Sequence, residues 1–271
     1  MKVEIILRTC DRINVSKYPR FINVSKAELL LGCVASLINA ANQVQGHILS
    51  YKILDDNSST ETLSQLHSLF RQSKHSYEFV KLEGTGHHYT GLKQFEFCRD
   101  SHADLVYSIE DDYLHCPTAL KEALDEYIFL QQKYPIKKPL CLFLWDQPED
   151  YAADYVKPEL LLRGKYRHWR VGGFTTYSFM TSPMIFRTYW NLFEKLATQY
   201  EEWDGTGDGE NTVYEGTTIS KIWSNDAMRL NPIPSLTLHM QSHLQEDPYI
   251  DWREWWKHYT HIEKSTKLTY L

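Results

Sequence analysis

Three consecutive acidic residues, Glu110, Asp111 and Asp112, follow the apolar run DLVYSI at 104–109. Like charges this close repel one another, so a stable fold must supply partners or solvent for them. Magnesium and manganese ions favour carboxylate oxygen, and in an extended chain Glu110 and Asp112 point to the same side. Metal binding by these two side chains is therefore one interpretation, and a solvated turn before Pro117 is the alternative.

Polar residues also follow two earlier apolar runs. Asp55 and Asp56 follow ILSYKIL, and Thr9 and Arg12 follow VEIIL. The carboxyl ends of parallel strands meet along one edge of a sheet, where such sheets bind ligands. Carboxylates there can accept hydrogen bonds from a nucleoside, and a nearby divalent cation can stabilise the charge of a leaving diphosphate. Helix capping is the alternative for Asp56.

Strand and helix signals alternate through the first half of the chain. Strands are predicted at 3–7, 48–54, 77–83, 104–109 and 140–145. Ser25 and Glu28 have the spacing of a helix capping box, and so do Ser58 and Glu61. This alternation predicts an α/β fold with a mostly parallel central sheet flanked by helices.

Composition narrows the class of protein. The 271 residues carry a formal net charge of −6, which argues against nucleic-acid binding. Five cysteines without a CxxC pair indicate free thiols in a reducing, cytoplasmic compartment. We expect neither a signal peptide nor a transmembrane segment, because no apolar run approaches the ~20 residues that span a bilayer.

The C-terminal stretch DWREWWKHYTHIEK is unusually aromatic. It places Trp252, Trp255, Trp256 and Tyr259 at helical spacing. A helix docked on the core is the first interpretation. Contact with a partner or with a membrane interface is the second, since tryptophan and tyrosine favour such interfaces.

Together, the strand-end motifs resemble those of GT-A fold glycosyltransferases, especially glycosyltransferase family 2. RTCDR looks like the family's first-strand motif, with Thr9 and Arg12 at matching positions. ILDDNSSTET is similar to the DD-x-S stretch of the family, which implies that Asp55 and Asp56 hold the nucleoside. The resemblance covers residues 1–115 well and the remainder weakly.

The EDD sequence stands where the family has its DxD motif. The match implies that Asp112 holds Mg²⁺ or Mn²⁺, that Glu110 faces ribose and metal, and that Asp111 supports them. Glu110 replaces the usual aspartate and is longer by one methylene. GT-A enzymes often complete the metal shell with a C-terminal histidine, and His239 is the candidate here. The alternative is that His239 is a polar side chain with ordinary hydrogen-bond partners and no metal.

Two further elements are matched by the resemblance. Inverting transfer needs a general base, which the family places just before a helix, and Asp208 and Glu210 in GDGENTVYEGTTISKIW are the candidates. VGGFTTYSF looks like the loop that lines the sugar pocket, with Gly172 and Gly173 allowing close approach. Helix capping and a ligand-free turn are the respective alternatives.

The resemblance implies one GT-A catalytic domain over 1–271. It has a nucleotide-sugar-binding half (1–115), an acceptor half (116–250) and a C-terminal helix (251–271). The implied activity is metal-dependent, inverting transfer from a nucleotide-diphosphate sugar, with UDP-sugar favoured, to a hydroxyl of a glycan or glycoconjugate. The missing QxxRW motif disfavours a processive synthase. A retaining glycosyltransferase, a sugar-1-phosphate nucleotidyltransferase and a non-catalytic sugar- or partner-binding protein remain alternatives.

Overall fold

A computed structural model describes residues 1–12, 20–146, 160–172, 176–201, 212–240 and 250–261. The strands in these ranges are β1 (Lys2–Thr9), β2 (Ile48–Asp55), β3 (Ser76–Val80), β4 (Leu105–Glu110), β5 (Tyr113–His115), β6 (Leu140–Leu142), β7 (Leu161–Arg163), β8 (His168–Val171), β9 (Phe179–Thr181), β10 (Met228–Ile233) and β11 (Thr237–His239). The helices are α1 (Lys26–Asn42), α2 (Thr60–Phe70), α3 (His87–Asp100), α4 (Ala119–Lys133), α5 (Pro183–Thr188), α6 (Trp190–Gln199), α7 (Ser220–Asn225) and α8 (Trp252–His261).

One mixed sheet of nine strands forms the centre of the molecule. Its order is β3-β2-β1-β4-β9-β6-β10-β8-β7. Strands β1 to β4 pair in parallel, β10 is parallel to β6, and β9 is antiparallel to both β4 and β6. All strands of this sheet except β8 and β9 therefore run in one direction, and the predicted α/β class is confirmed. The sheet includes strands from both predicted halves, whose boundary stays a prediction.

Helices cover the sheet in two layers. Helix α1 contacts α2, α4 and α8, whereas α3 contacts α5 and α6. Ile5, Ile6 and Leu7 in β1 point to alternate faces, and all three are at most 1% exposed. Burial on both faces explains why this strand reads as a continuous apolar run rather than an alternating one.

The predicted capping box of α1 is confirmed. Ser25 Oγ accepts a hydrogen bond from the Glu28 N–H at 3.2 Å, and Glu28 Oε2 accepts one from the Ser25 N–H at 2.9 Å. This exchange satisfies two donors that a helix start leaves without partners. Helix α1 therefore begins where the sequence places it.

The predicted Ser58–Glu61 capping box of α2 is wrong. The cap is Ser59, whose Oγ accepts from the Thr62 N–H at 3.2 Å. Ser58 belongs to the preceding turn, where its N–H donates to Asp55 Oδ2 at 2.8 Å. The Asp55 carboxylate holds the Ser58 N–H within this turn, so the helix cap falls one residue later, at Ser59.

Helix α8 is docked on α1 through its aromatic face. Trp252, Trp256 and Tyr259 are buried, and the Tyr259 hydroxyl accepts a hydrogen bond from Asn39 Nδ2 at 3.2 Å. The docked-helix interpretation is therefore confirmed for these three rings, whereas Trp255 is only partly buried and the membrane contact stays a prediction. No helix in the described ranges has both the length and the apolar character needed to cross a bilayer.

We predict that Gly32→Ala destabilises the protein by about 1–3 kcal/mol, the usual cost of overpacking. A Cβ atom at Gly32 would lie 2.5 Å from Cζ3 of Trp256. Urea unfolding measures the change. In a Trp256→Ala background the same substitution should instead stabilise by up to ~1 kcal/mol, since alanine is the better helix former. Stabilisation by Gly32→Ala in the unmodified chain would contradict the packing of α8 on α1.

Candidate active site

The carboxyl ends of β1, β2 and β4 bring the three sequence motifs together. Thr9 of β1 is in register with Asp55 of β2, and its Oγ1 donates to Asp55 Oδ1 at 2.8 Å. Arg8 of β1 is in register with Glu110 of β4. The backbone of Asp56 also links the two strand ends, because its N–H donates to the Thr9 carbonyl at 2.8 Å. These polar residues therefore lie along one edge of the sheet.

Asp56 is buried and faces the start of α3. Both of its carboxylate oxygens accept from the Gly86 N–H, at 2.9 and 3.0 Å. Gly86 precedes α3 with φ of +93°, a conformation that favours glycine. Arg12 is exposed beside Asp11, whose carboxylate accepts hydrogen bonds from Ser59. The side chains around this edge are thus fixed by backbone and hydroxyl donors.

Glu110 is held by Arg8. The Arg8 guanidinium pairs with Glu110 Oε1 and lies over the Tyr177 ring, 5.0 Å from its centroid. Burial works against the charge of Arg8, but Glu110, Tyr177 and Asp111 together outweigh it and raise the arginine pKa. Ser178 Oγ also accepts the Glu110 N–H at 3.1 Å. Glu110 therefore faces β1 and β9.

Asp111 is held by Lys26 on the first turn of α1. Its Oδ1 pairs with Lys26 Nζ, and its Oδ2 accepts from the Cys10 N–H at 2.7 Å. Burial raises the pKa of Asp111, Lys26 opposes that shift, and Asp112 adds to it. The charge of Lys26 is stabilised in turn, since Asp111 raises the lysine pKa against burial. Asp111 thereby joins β1, β4 and α1.

Asp112 faces His239 at the end of β11. His239 Nε2 lies 3.3 Å from Asp112 Oδ2, and the imidazole stacks on Tyr113 with centroids 4.6 Å apart. Burial opposes ionisation of Asp112, but His239, Lys26 and Arg8 together outweigh it and lower the carboxyl pKa. Asp112 in turn raises the pKa of His239 against burial.

The three carboxylates therefore turn toward three different cations. Glu110 faces Arg8 instead of sharing a ligand with Asp112. In the described part of the chain, no group of three or more His, Cys, Asp or Glu side chains is arranged to hold a metal ion. The structure brings Asp112 and His239 together but does not bring Glu110 into the same group, because the arginine inside β1 takes its carboxylate.

The Asp112–His239 pair fits a divalent cation. Asp112 Oδ1 and His239 Nδ1 are both buried and have no hydrogen-bond partner among the described residues. Oδ2 and Nε2 face each other at 3.3 Å, a separation that allows both to contact one ion. Carboxylate and imidazole together suit Mn²⁺, and two protein ligands leave positions for phosphate oxygens and water.

Gly172 lies away from this edge. It follows β8, four strands from β4, and its N–H donates to the Arg229 carbonyl at 3.1 Å. A Cβ atom there would lie 3.3 Å from Asn231 Oδ1. The structure thus places Gly172 in tight packing within the far half of the sheet. Gly173, Asp208 and Glu210 lie outside the described residues.

Glu215 is a carboxylate near Glu110 that the sequence analysis did not select. It opens a short 3-10 helix, Glu215–Thr217, just before α7. Burial raises the pKa of its carboxyl group to about 7, and repulsion from Glu110 adds to this rise. A hydrogen bond from its own N–H partly offsets the rise. The glutamate also interacts electrostatically with Tyr177 beside Arg8. The signal that favoured Glu210, a carboxylate before a helix, fits Glu215 better because it lies closer to α7.

No protein-family model matches the sequence, and no curated protein matches it. Solved structures resemble the chain at low identity. TarS from S. aureus is 13% identical over 85% of this chain and 35% of its own, with a TM-score of 0.46. The mannosyltransferase PcManGT from Pyrobaculum calidifontis, solved with GDP-Man and Mn²⁺, is 15% identical over 99% of this chain and 65% of its own, with a TM-score of 0.47.

The galactosyltransferase LgtC, solved with donor and acceptor sugar analogues, is 9% identical over 74% of this chain, with a TM-score of 0.42. The present chain spans 66% of the LgtC chain and about a third of TarS. Likeness at this level does not assign an activity, so the residues of the site have to carry any functional conclusion.

We predict that Lys26→Met lowers the free energy of unfolding by about 3 kcal/mol, because it leaves the buried Asp111 carboxylate without its cation. The matched control is Lys52→Met, which removes a pair with the exposed Glu78 and a longer one, 3.9 Å, with Glu4, and should cost about 1 kcal/mol. Urea unfolding of both variants measures the difference. Equal, small losses would contradict the role of Lys26 in neutralising the acidic turn.

Proposed function

We propose that the chain is a metal-dependent GT-A fold glycosyltransferase. It would move a sugar from a nucleoside-diphosphate sugar to a hydroxyl of a glycan or glycoconjugate. The observation that carries the proposal is the Asp112–His239 pair, which lies at the same sheet edge as Asp55 and Asp56. The buried Oδ1 atom of Asp112 has no hydrogen-bond partner among the described residues. A cation site beside nucleoside-binding carboxylates fits a nucleotide diphosphate.

The charge balance of the edge supports the need for a metal. Six carboxylates meet there: Asp11, Asp55, Asp56, Glu110, Asp111 and Asp112. The cations among the described side chains at this edge are Arg8, Arg12 and Lys26, since His239 would have to be neutral to bind a metal. An anionic diphosphate would therefore meet a net negative surface. Asp112 and His239 would hold a Mg²⁺ or Mn²⁺ ion, which would supply positive charge that stabilises the diphosphate as a leaving group.

The nucleoside would lie on the β1–β2 side of the edge. Thr9 and Asp55 are hydrogen-bonded to each other, and Asp56 is aimed at the start of α3. These carboxylates can accept from ribose hydroxyls or a base N–H. The exposed Arg12 guanidinium is within reach of the same region beside Asp11. We favour a uracil nucleotide as donor.

Glu215 is the general base in this proposal, in place of Asp208 and Glu210. Its raised pKa keeps it basic enough to accept a proton near neutral pH. The acceptor oxygen attacks the anomeric carbon as its proton passes to a Glu215 carboxylate oxygen. The bond from that carbon to the diphosphate oxygen breaks, and the diphosphate leaves with the electron pair. Attack from the opposite face gives an inverted product.

The first prediction tests the metal site. Asp112→Asn should lower metal-dependent donor turnover at least about 100-fold, since it removes an ionic ligand. It should also abolish the rise in melting temperature that a UDP-sugar produces only with Mn²⁺. Asp100→Asn is the matched control, because that side chain is 63% exposed and pairs with Arg99. Unchanged Mn²⁺-dependent transfer by Asp112→Asn would overturn the proposed site.

The second prediction concerns pH. Turnover should rise as pH increases through about 7, where Glu215 loses its proton, and Glu215→Gln should remove that rise along with most activity. Glu194→Gln, on the exposed side of α6, should keep the wild-type profile. A pH limb that survives in Glu215→Gln would assign the base to another residue.

The raised pKa of Glu215 also predicts how the free energy of unfolding depends on pH. Its folded pKa is above the unfolded value of about 4.3, so folding binds a proton and loses stability as pH rises toward 7. Glu215→Gln should therefore increase the free energy of unfolding at pH 8 by about 2 kcal/mol, with little change at pH 4. A variant that is inactive yet more stable at pH 8 fits a catalytic role and excludes misfolding.

A further inference from the structure

The turn before β11 is held from outside by one arginine. Arg167 Nη1 donates to the Pro234 carbonyl and lies 3.4 Å from the Ser235 carbonyl. These residues begin the segment that ends at His239. Backbone carbonyls in a turn have no partner from a regular strand ladder, so a fixed guanidinium fork can hold them in one geometry.

Arg167 is itself fixed by α4. Glu122 Oε2 accepts from Arg167 Nε at 3.0 Å and from Nη2 at 2.5 Å. The two side chains are only 12% and 15% exposed. A paired contact of this kind on a mostly buried guanidinium fixes both its direction and its distance.

The backbone that carries Arg167 is held by a second carboxylate of α4. Glu126 is fully buried and accepts from three successive N–H groups, those of Lys165 at 2.8 Å, Tyr166 at 2.7 Å and Arg167 at 3.3 Å. A Cβ atom at Gly164 would lie 2.5 Å from Glu126 Oε2, so the turn closes tightly on this carboxylate. Helix α4 therefore fixes the backbone of the β7–β8 hairpin. This hairpin carries Arg167, whose side chain contacts the 234–235 turn.

The held turn leads directly into the candidate metal site. The N–H groups of Leu236 and Thr237 both donate to the Leu144 carbonyl at 2.9 Å. Two residues later, His239 is in register with Tyr113 and packs edge-to-face with Trp145 at 5.7 Å. Leu236 joins the held turn directly to β11, so the geometry of the turn sets where the strand that carries His239 begins.

We propose that Arg167 is a positioning residue for His239 and so sets the affinity of the Asp112–His239 pair for a divalent cation. This inference rests on the proposed metal site. Groups that orient a metal ligand without touching the ion typically change metal affinity 10–100-fold when removed. Arg167 acts here through the 234–235 backbone rather than through the imidazole itself.

The test compares Arg167→Met and Arg167→Lys with Asp125→Asn. Asp125 also joins α4 to the hairpin, through the Tyr166 hydroxyl at 2.7 Å and Lys165 at 3.3 Å, but among the described residues it makes no hydrogen bond or ion pair with the 234–235 turn. Mn²⁺ affinity is measured by electron paramagnetic resonance without donor. We expect about 10-fold or greater weakening in Arg167→Met, a smaller loss in Arg167→Lys, and wild-type affinity in Asp125→Asn.

Hydrogen exchange of the metal-free proteins gives a readout independent of metal and activity. The amides of Leu236 and Met240 should lose protection in Arg167→Met and keep it in Asp125→Asn. Wild-type Mn²⁺ affinity and unchanged amide protection in a folded Arg167→Met variant would overturn this inference but leave the proposed function standing. Failure of the wild-type protein to bind Mn²⁺ would instead overturn the metal site, and with it the proposed function.

Discussion

The fold and the candidate site depend on one constraint, the neutralisation of three consecutive carboxylates at the end of β4. Each takes its cation from a different part of the chain: Glu110 from β1, Asp111 from α1 and Asp112 from β11. Breaking a buried pair costs several kcal/mol, so the acidic turn forms only when these distant elements are in place. Assembly of the sheet edge and assembly of the site are thus the same event.

The three carboxylates do different work because their partners differ. Arginine and lysine hold Glu110 and Asp111 with donors that carry a permanent charge, whereas histidine leaves Asp112 with an oxygen that no described residue satisfies. A divalent cation bound by Asp112 and His239 would also relieve the net negative charge of the edge. Burial, together with repulsion from Glu110, raises the pKa of Glu215 to about 7. In the proposed mechanism, this sheet edge would therefore serve both the leaving diphosphate and removal of the acceptor proton.

Sequence patterns predicted the strand ends and their shared edge, because apolar period and turn residues are local signals. They could not predict the partner of Glu110, since Arg8 lies inside a strand and its direction depends on burial. Glu215 was missed because nothing in TVYEGTT shows which acid is desolvated. The helical spacing of Trp252 and Trp256 was correct, but only the packing against Gly32 shows which surface they cover. Gly172 fits a loop motif, yet the sheet order places it four strands from β4.

The most direct measurement is anomalous scattering from crystals grown with Mn²⁺ and UDP. The account predicts one strong manganese peak about 2–2.6 Å from an Asp112 carboxylate oxygen and a nitrogen of His239, with diphosphate oxygens completing its shell. Arg8–Glu110 and Lys26–Asp111 should stay paired. A manganese peak held by Glu110 and Asp111 with their cations displaced, or UDP bound at this edge without any metal peak, would contradict it.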